Sequence, residues 1–253
     1  MVTAEDILDI LLSFEDGEQQ KVLTRFFKCG QGQYGYGDKF IGVRVPQTRS
    51  VAKSAKCQVP FDEIEKLLYS PWHEVRLCGF LLLVEEMKEA MPNGRSSLQT
   101  NGALRRQEIA EFYLKHAFCA NNWDLVDLSC IYILGPWLLL PEQNGGRHSR
   151  CVLYKLAGSS NLWEQRMSVV TTLAFIRNGE FDDALQISML LLSHPHDLIR
   201  KAVGWVLREV GKRDLDVLRS FLNENYCRMS RTSLRYAIEK MSDSERHYWL
   251  KRK

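Results

Sequence analysis

Asp127 closes the run N-N-W-D-L-V-D and stands four residues after Trp123. On a helix that spacing puts carboxylate and indole on one face. An indole face attracts cations, and a carboxylate stabilises positive charge. The pair therefore suits a cationic ligand or a transition state that gains positive charge. An Asp paired with an arginine of a neighbouring repeat, beside a packed tryptophan, is the alternative for the same two residues. A second run, G-Q-G-Q-Y-G-Y-G at 30–37, contains the G-x-G-x-x-G spacing of phosphate-cradling loops. Such a loop must leave a strand and enter a helix whose N-terminus faces the phosphates. Here the glycines follow a helical pattern ending R-F-F-K and lead into D-K-F-I-G, which does not resemble a helix start. A kinase loop would need H-R-D and D-F-G further on, and the sequence has neither. A loop bordering a groove is the expectation, with Tyr34, Tyr36 and Phe40 suited to close approach to another surface. No nucleotide cofactor is expected.

The elements that must carry these residues are helical. Apolar residues recur at helical spacing almost everywhere, and no stretch alternates like a strand between turn signals. Expected helices include Gly17–Phe27, Phe61–Leu68, Trp123–Ile133, Leu162–Arg177, His196–Val210 and Leu215–Asn225. With 45% hydrophobic residues in 253, a sizeable core can form. The fold class is all-α, expected as a single domain over 1–253 with a glycine-rich loop at 29–45.

Composition narrows the function classes. The formal net charge is only +3. From Pro195 to Lys253, however, there are 14 Lys/Arg against 8 Asp/Glu, a local +6 that favours an anionic partner. The start of the sequence lacks the basic-then-apolar pattern of a signal peptide. The longest apolar stretch, near Phe80–Val84, is too short to span a bilayer. Seven cysteines, none in C-x-x-C, suit core thiols of a cytoplasmic protein. His194-Pro195-His196 cannot chelate from one helical face and lacks nearby ligands, so no metal is expected. Glu85-Glu86 and Asp182-Asp183 are expected to be solvated. Trp72, Trp137, Trp163 and Trp249 are expected to pack.

Repetition gives the architecture. Five segments align on a charged residue: Arg76, Asp127, Arg166, Arg200 and Arg235, at steps of 51, 39, 34 and 35 residues. Each begins at a turn, passes a polar first turn and then becomes apolar. That is the rhythm of a HEAT-like helical-hairpin solenoid, in which neighbouring hairpins stack into a superhelix with a concave wall. Repeated arginines along such a wall suit phosphate oxygens. Bonds to adjacent repeat turns are the structural alternative, notably for Arg76 and Arg235. Arg105, Arg106, Arg147, Arg150, Lys201, Arg208, Lys212 and Arg213 are further candidates for phosphate contact, or for plain surface charge.

The segments N-N-W-D-L-V-D (121–127), N-L-W-E-Q-R (161–166) and K-A-V-G-W-V-L-R-E (201–209) resemble the AlkD family of DNA alkylation-repair glycosylases. R-F-F-K…F-I-G-V-R-V-P (25–46) is similar to the same family's N-terminal segment. The resemblance runs from about residue 20 to 240. It implies a HEAT-like superhelix binding duplex DNA on its concave face. It also implies hydrolytic release of positively charged N3- and N7-alkylpurines with the damaged base left stacked. It makes Asp127 the catalytic carboxylate, Trp123 and Trp205 aromatic walls against the lesion, and Arg166 the cation on the DNA backbone. Phe26, Lys28, Arg200, Lys201 and Arg208 are expected at the DNA as well. Some family members have Tyr where this chain has Phe26, which removes one hydroxyl. A monomer acting on alkylated double-stranded DNA without a cofactor, and away from membranes, is the resulting expectation. A non-catalytic binder of distorted or branched DNA and a protein-interaction scaffold are the alternatives.

Overall fold

Apolar periodicity becomes helix throughout a computed structural model that describes residues 1–92 and 102–252. Among them no strand forms, and Lys39 and Trp72 make an isolated bridge. The chain divides into two compact units, Met1–Ile133 with Pro141–Gly146, and Leu134–Leu140 with Arg147–Lys253.

The first unit contains α1 (Ala4–Leu12), α2 (Gly17–Phe26), α3 (Val45–Ser54), α4 (Phe61–Leu68), α5 (His73–Glu89), α6 (Gly102–Lys115) and α7 (Trp123–Asp127). At its centre is α5, apolar on nearly every side and buried from His73 to Val84. It packs against α1, α3, α4, α6 and α7. Such all-round burial is what a central helix requires, at roughly 1.5–3 kcal/mol for each large apolar side chain removed from water. The chain leaves this unit within α8 (Cys130–Leu139).

The second unit holds α9 (Cys151–Ala157), α10 (Leu162–Thr171), α11 (Leu173–Arg177), α12 (Asp182–Leu190), α13 (Asp197–Arg213), α14 (Leu215–Asn225), α15 (Arg231–Ala237) and α16 (Asp243–Lys251). Here α13 is central, packed against α10, α11, α12, α14 and α15. Gly204 brings α13 and α15 together, since a Cβ there would stand 2.6 Å from the Ser233 carbonyl oxygen. Consecutive helices pack as pairs, α4 with α5, α9 with α10 and α13 with α14, as helical-hairpin repeats require.

Two expected helices are each divided. Trp123–Ile133 breaks after Asp127, where the Ser129 hydroxyl bonds back to the Leu125 and Val126 carbonyls and meets the Tyr113 hydroxyl at 2.8 Å. Leu162–Arg177 breaks at Thr172, whose hydroxyl donates to the Val169 carbonyl while Thr171 donates to Met167. Hydroxyls that bond backward compete with the helical ladder, and apolar periodicity does not register them.

Several surface expectations need correcting. Glu86 is buried and bonded to Arg105, which also meets Glu108 and lies 4.3 Å over the Phe61 ring. Asp183 takes Arg150 and the Tyr154 hydroxyl. Neither acid is a solvated bystander, and Arg105 and Arg150 are tied within their own units. Cys78, Cys119 and Cys130 are buried, but Cys57, Cys151 and Cys227 are exposed. Trp137, Trp163 and Trp249 are core residues, as expected. Among the described residues no helix is long and apolar enough to cross a membrane.

Candidate active site

In the first unit α2 delivers Phe26 and Phe27 to the start of the glycine loop. The Phe27 ring is buried and stacks on the Trp123 indole, 5.5 Å between centroids and 28° from parallel. Phe26 is 59% exposed and meets the same indole edge-on at 6.0 Å. Trp123 is half-buried, and so is Asp127 one turn later at the end of α7. Phe26, Trp123 and Asp127 therefore belong to one neighbourhood of this unit. Lys28 is exposed, with its ammonium 5.9 Å from the Tyr34 ring centre.

The glycine loop lies under this corner and is held firmly at its exit. Gly35 can only be glycine, because a Cβ would stand 2.3 Å from the Phe27 carbonyl oxygen. Gly42 has φ +102°, and a Cβ there would meet the Asp16 carbonyl oxygen at 2.1 Å. The buried Glu74 carboxylate accepts the backbone N–H groups of Ile41 (3.0 Å), Gly42 (2.8 Å) and Val43 (3.2 Å). Three charge-assisted bonds hold that segment in place around the left-handed Gly42. The glycines do not enter a helix, since α3 begins only at Val45.

Beneath the aromatics sits His73, the first residue of α5. Its Nδ1 lies 2.8 Å from Asp38 Oδ2 and its Nε2 lies 2.8 Å from Asp124 Oδ2. The ring packs against both Phe27 (4.8 Å) and Phe40 (4.7 Å), which stack on each other at 5.2 Å. Burial alone would favour the neutral imidazole, but the Asp124 and Asp38 carboxylates outweigh it and raise the His73 pKa to about 9. Burial likewise opposes ionisation of Asp38, yet His73 and Arg76 hold its carboxyl below the ordinary value. Asp38 also bonds the Arg76 guanidinium. Asp124 Oδ1 and Asn122 Nδ2 are buried with no hydrogen-bond partner among the described residues.

The second unit holds the remaining candidates. Arg166 is 6% exposed, and its Nη1 donates to the Leu198 carbonyl at 2.6 Å. Trp205 is half-buried on α13. Arg200 Nε donates to the His194 carbonyl, six residues earlier, at 2.8 Å. Arg76 in the first unit does the same to Ser70, also six residues earlier, at 2.9 Å. Arg76 and Arg200 thus share a structural bond to the turn before their helix. That settles Arg76 as structural and gives Arg200 a structural bond that phosphate contact alone does not need. Arg235 is exposed. Lys201 pairs with Asp197 (2.8 Å), and Arg208 pairs with Glu239 and Glu209. His194 and His196 accept backbone N–H groups of His196 and Leu198, so both help cap the start of α13. Among the described residues no group of three or more His, Cys, Asp or Glu side chains is placed to hold a metal.

Sequence reasoning missed His73, Asp38, Asp124 and Glu74. Asp124 lies inside the W-D-L-V-D run, and His73-Glu74 open the S-P-W-H-E-V-R segment as polar residues before an apolar helix. What could have exposed them is that polar pair at the head of a helix too apolar to be solvated on any side.

A family model described as DNA alkylation repair enzyme matches residues 7–241. Among solved structures, a predicted DNA alkylation repair enzyme from Enterococcus faecalis is similar, with a TM-score of 0.65 at 17% identity. The match covers 90% of this chain and 97% of that one, and at this identity it concerns the helical-repeat fold alone. No curated protein sequence matches the chain. With the family match spanning nearly its whole length, the chain belongs to the DNA alkylation repair enzyme family.

Proposed function

We propose that the chain is a monofunctional DNA glycosylase that hydrolyses the N-glycosidic bond of positively charged N3- and N7-alkylpurines in duplex DNA. The observation that carries this is Asp127, half-buried one turn from the half-buried Trp123, on a helix fixed from below by Asp124 and His73. Family membership supplies the setting.

The chemistry follows from the charge on the lesion. An N3- or N7-alkylpurine is already cationic, so it departs without a strong general acid. The sugar left behind approaches an oxocarbenium ion and needs a nearby negative charge and an oriented water. A carboxylate is ionised at neutral pH and Asp is short enough to stay in place. Asp127 takes both tasks. The Trp123 face adds cation–π attraction of about 0.5–2 kcal/mol as positive charge moves from base to sugar. Phe26 offers an exposed apolar surface in the same corner, without a hydroxyl. Trp205 is assigned to the second aromatic wall. Arg166 is assigned to the backbone beside the lesion. Lys28, Arg200, Lys201 and Arg208 are assigned to the phosphates. No residue of the W-D-L-V-D run is a lysine, so Schiff-base lyase chemistry has no support. The base stays stacked in this proposal, as the resemblance to the AlkD family implies, so no pocket for an extruded nucleotide is required.

The test is incubation of the protein with duplex DNA containing 7-methylguanine, beside D127N. Release by the native protein and loss in D127N supports the proposal. Tight binding without release favours a non-catalytic binder of distorted DNA. Absence of DNA affinity at moderate salt favours a protein-interaction scaffold.

A further inference from the structure

His73 bonds Asp38 and Asp124 at once, each at 2.8 Å and through different ring nitrogens. The two carboxylates belong to different elements. Asp38 ends the glycine loop, and Asp124 sits in the first turn of α7, beside Trp123. Two acceptors leave the ring one arrangement that satisfies both, with a proton on each nitrogen. All three side chains are at most 6% exposed. Two buried carboxylates joined only through a neutral imidazole would leave an uncompensated charge. Asp124 feels this most, because its Oδ1 has no hydrogen-bond partner among the described residues. Asp38 has Arg76 as a second cation.

The ring also packs. Phe27 lies 4.8 Å from it and stacks on Trp123 at 5.5 Å. Phe40 lies 4.7 Å away. The ring therefore fixes Trp123 in two ways, through the Phe27 ring and through the Asp124 bond to α7.

We infer that His73 is a positioning residue: an imidazolium, protonated at neutral pH, that ties the glycine loop to α7 and so sets the Trp123 and Asp127 side chains. The groups facing it are Asp38 from the loop, Asp124 from α7, and Phe27 and Phe40. Arg76 reaches it through Asp38, and the Cys29 thiol lies close enough to feel the Asp38 charge. Its neighbour Glu74 is engaged by the backbone of 41–43. The two carboxylates together hold the proton well above neutrality. This explains why the glycine run matters without any nucleotide. The loop presents Asp38 from below and frames the aromatic corner above. The consequence for base release rests on the glycosylase proposal, whereas the protonation state and the link to Trp123 do not.

The experiment uses the full chain, labelled with ¹⁵N in its histidines and ¹³C in its tryptophans, without DNA. H73Q and W123F assign the signals. Both His73 nitrogens are expected to carry protons from pH 6 to 8, with titration only near 9. The ¹³C ring signals of Trp123 are expected to shift together with that titration in the native protein. A neutral His73 tautomer at pH 7, or Trp123 signals that stay still while His73 titrates, overturns the inference. These readouts need no active enzyme. The catalytic arm compares H73Q with native protein on 7-methylguanine duplex under single-turnover conditions. The release rate is expected to fall about 10–100-fold through mispositioning alone. DNA affinity, set mainly by phosphate contacts, is expected to change only a few-fold. Equal release rates in a folded H73Q overturn the positioning role. Absence of release by native protein overturns the glycosylase proposal and leaves the NMR result to stand or fall separately.

Discussion

Phe27 and Trp123 stack 5.5 Å apart, joining the end of α2 to the first residue of α7. Phe27 is buried, whereas its neighbour Phe26 is exposed against the edge of the same indole. One side chain anchors the corner and the next displays it. Phe27→Ala is expected to cost about 3–5 kcal/mol of stability, the usual range for emptying an aromatic core position. Phe26→Ala removes mostly exposed surface and should cost under about 1 kcal/mol. Urea denaturation of the two variants separates these roles, and similar losses would contradict them.

Glu74 is the second anchor. Its carboxylate accepts three backbone N–H groups in the segment 41–43. Glu74→Gln trades a two-oxygen anion for one acceptor oxygen and strands at least one buried donor. The expected loss is about 1–3 kcal/mol, read as a lower urea midpoint. Unchanged stability would mean that the segment does not depend on this carboxylate.

Stability should depend on pH through the same cluster. His73 has a folded-state pKa near 9, above its unfolded value of 6.5. Its contribution is therefore complete below about pH 6.5 and is lost as pH rises through 9. Asp38 is shifted the other way, below the ordinary carboxyl value of 3.8. Its contribution is present above that value and disappears as pH falls below it. Urea midpoints from pH 6 to 10 should decline more steeply for native protein than for H73Q. Parallel profiles would contradict the assignment.

In the second unit Gly204 lets α13 approach α15. A methyl group there would stand 2.5 Å from Tyr236 Cβ and 2.6 Å from the Ser233 carbonyl oxygen. Gly204→Ala is expected to destabilise by about 1–3 kcal/mol through overpacking, despite alanine's better helix propensity. Thermal denaturation decides, and a raised melting temperature would show that the helices can separate at little cost.

Much of this was legible in the sequence, and the misses have two causes. Helical periodicity placed Phe61–Leu68 and Leu215–Asn225 with their observed ends. It could not see the breaks after Asp127 and near Thr172, because they come from hydroxyls bonding backward and not from any apolar pattern. The five-fold charge alignment found Arg76 and Arg200 at equivalent places, each bonded six residues back. It could not say that Arg76 would be buried against Asp38, since their pairing spans 38 residues of chain. Trp123 and Asp127 were visible from spacing alone. His73 was not, because its partners Asp38 and Asp124 lie 35 and 51 residues away.

The carboxylate of Asp127 is the centre of the proposed chemistry, and single-turnover release of 7-methylguanine from duplex DNA measures it most directly. With DNA saturating, native protein should yield free base and an abasic site. D127N should bind the same duplex with comparable affinity and release base about 10²–10³-fold more slowly, the usual loss for one removed charge stabiliser. Equal rates in the two proteins would contradict the role assigned to this residue.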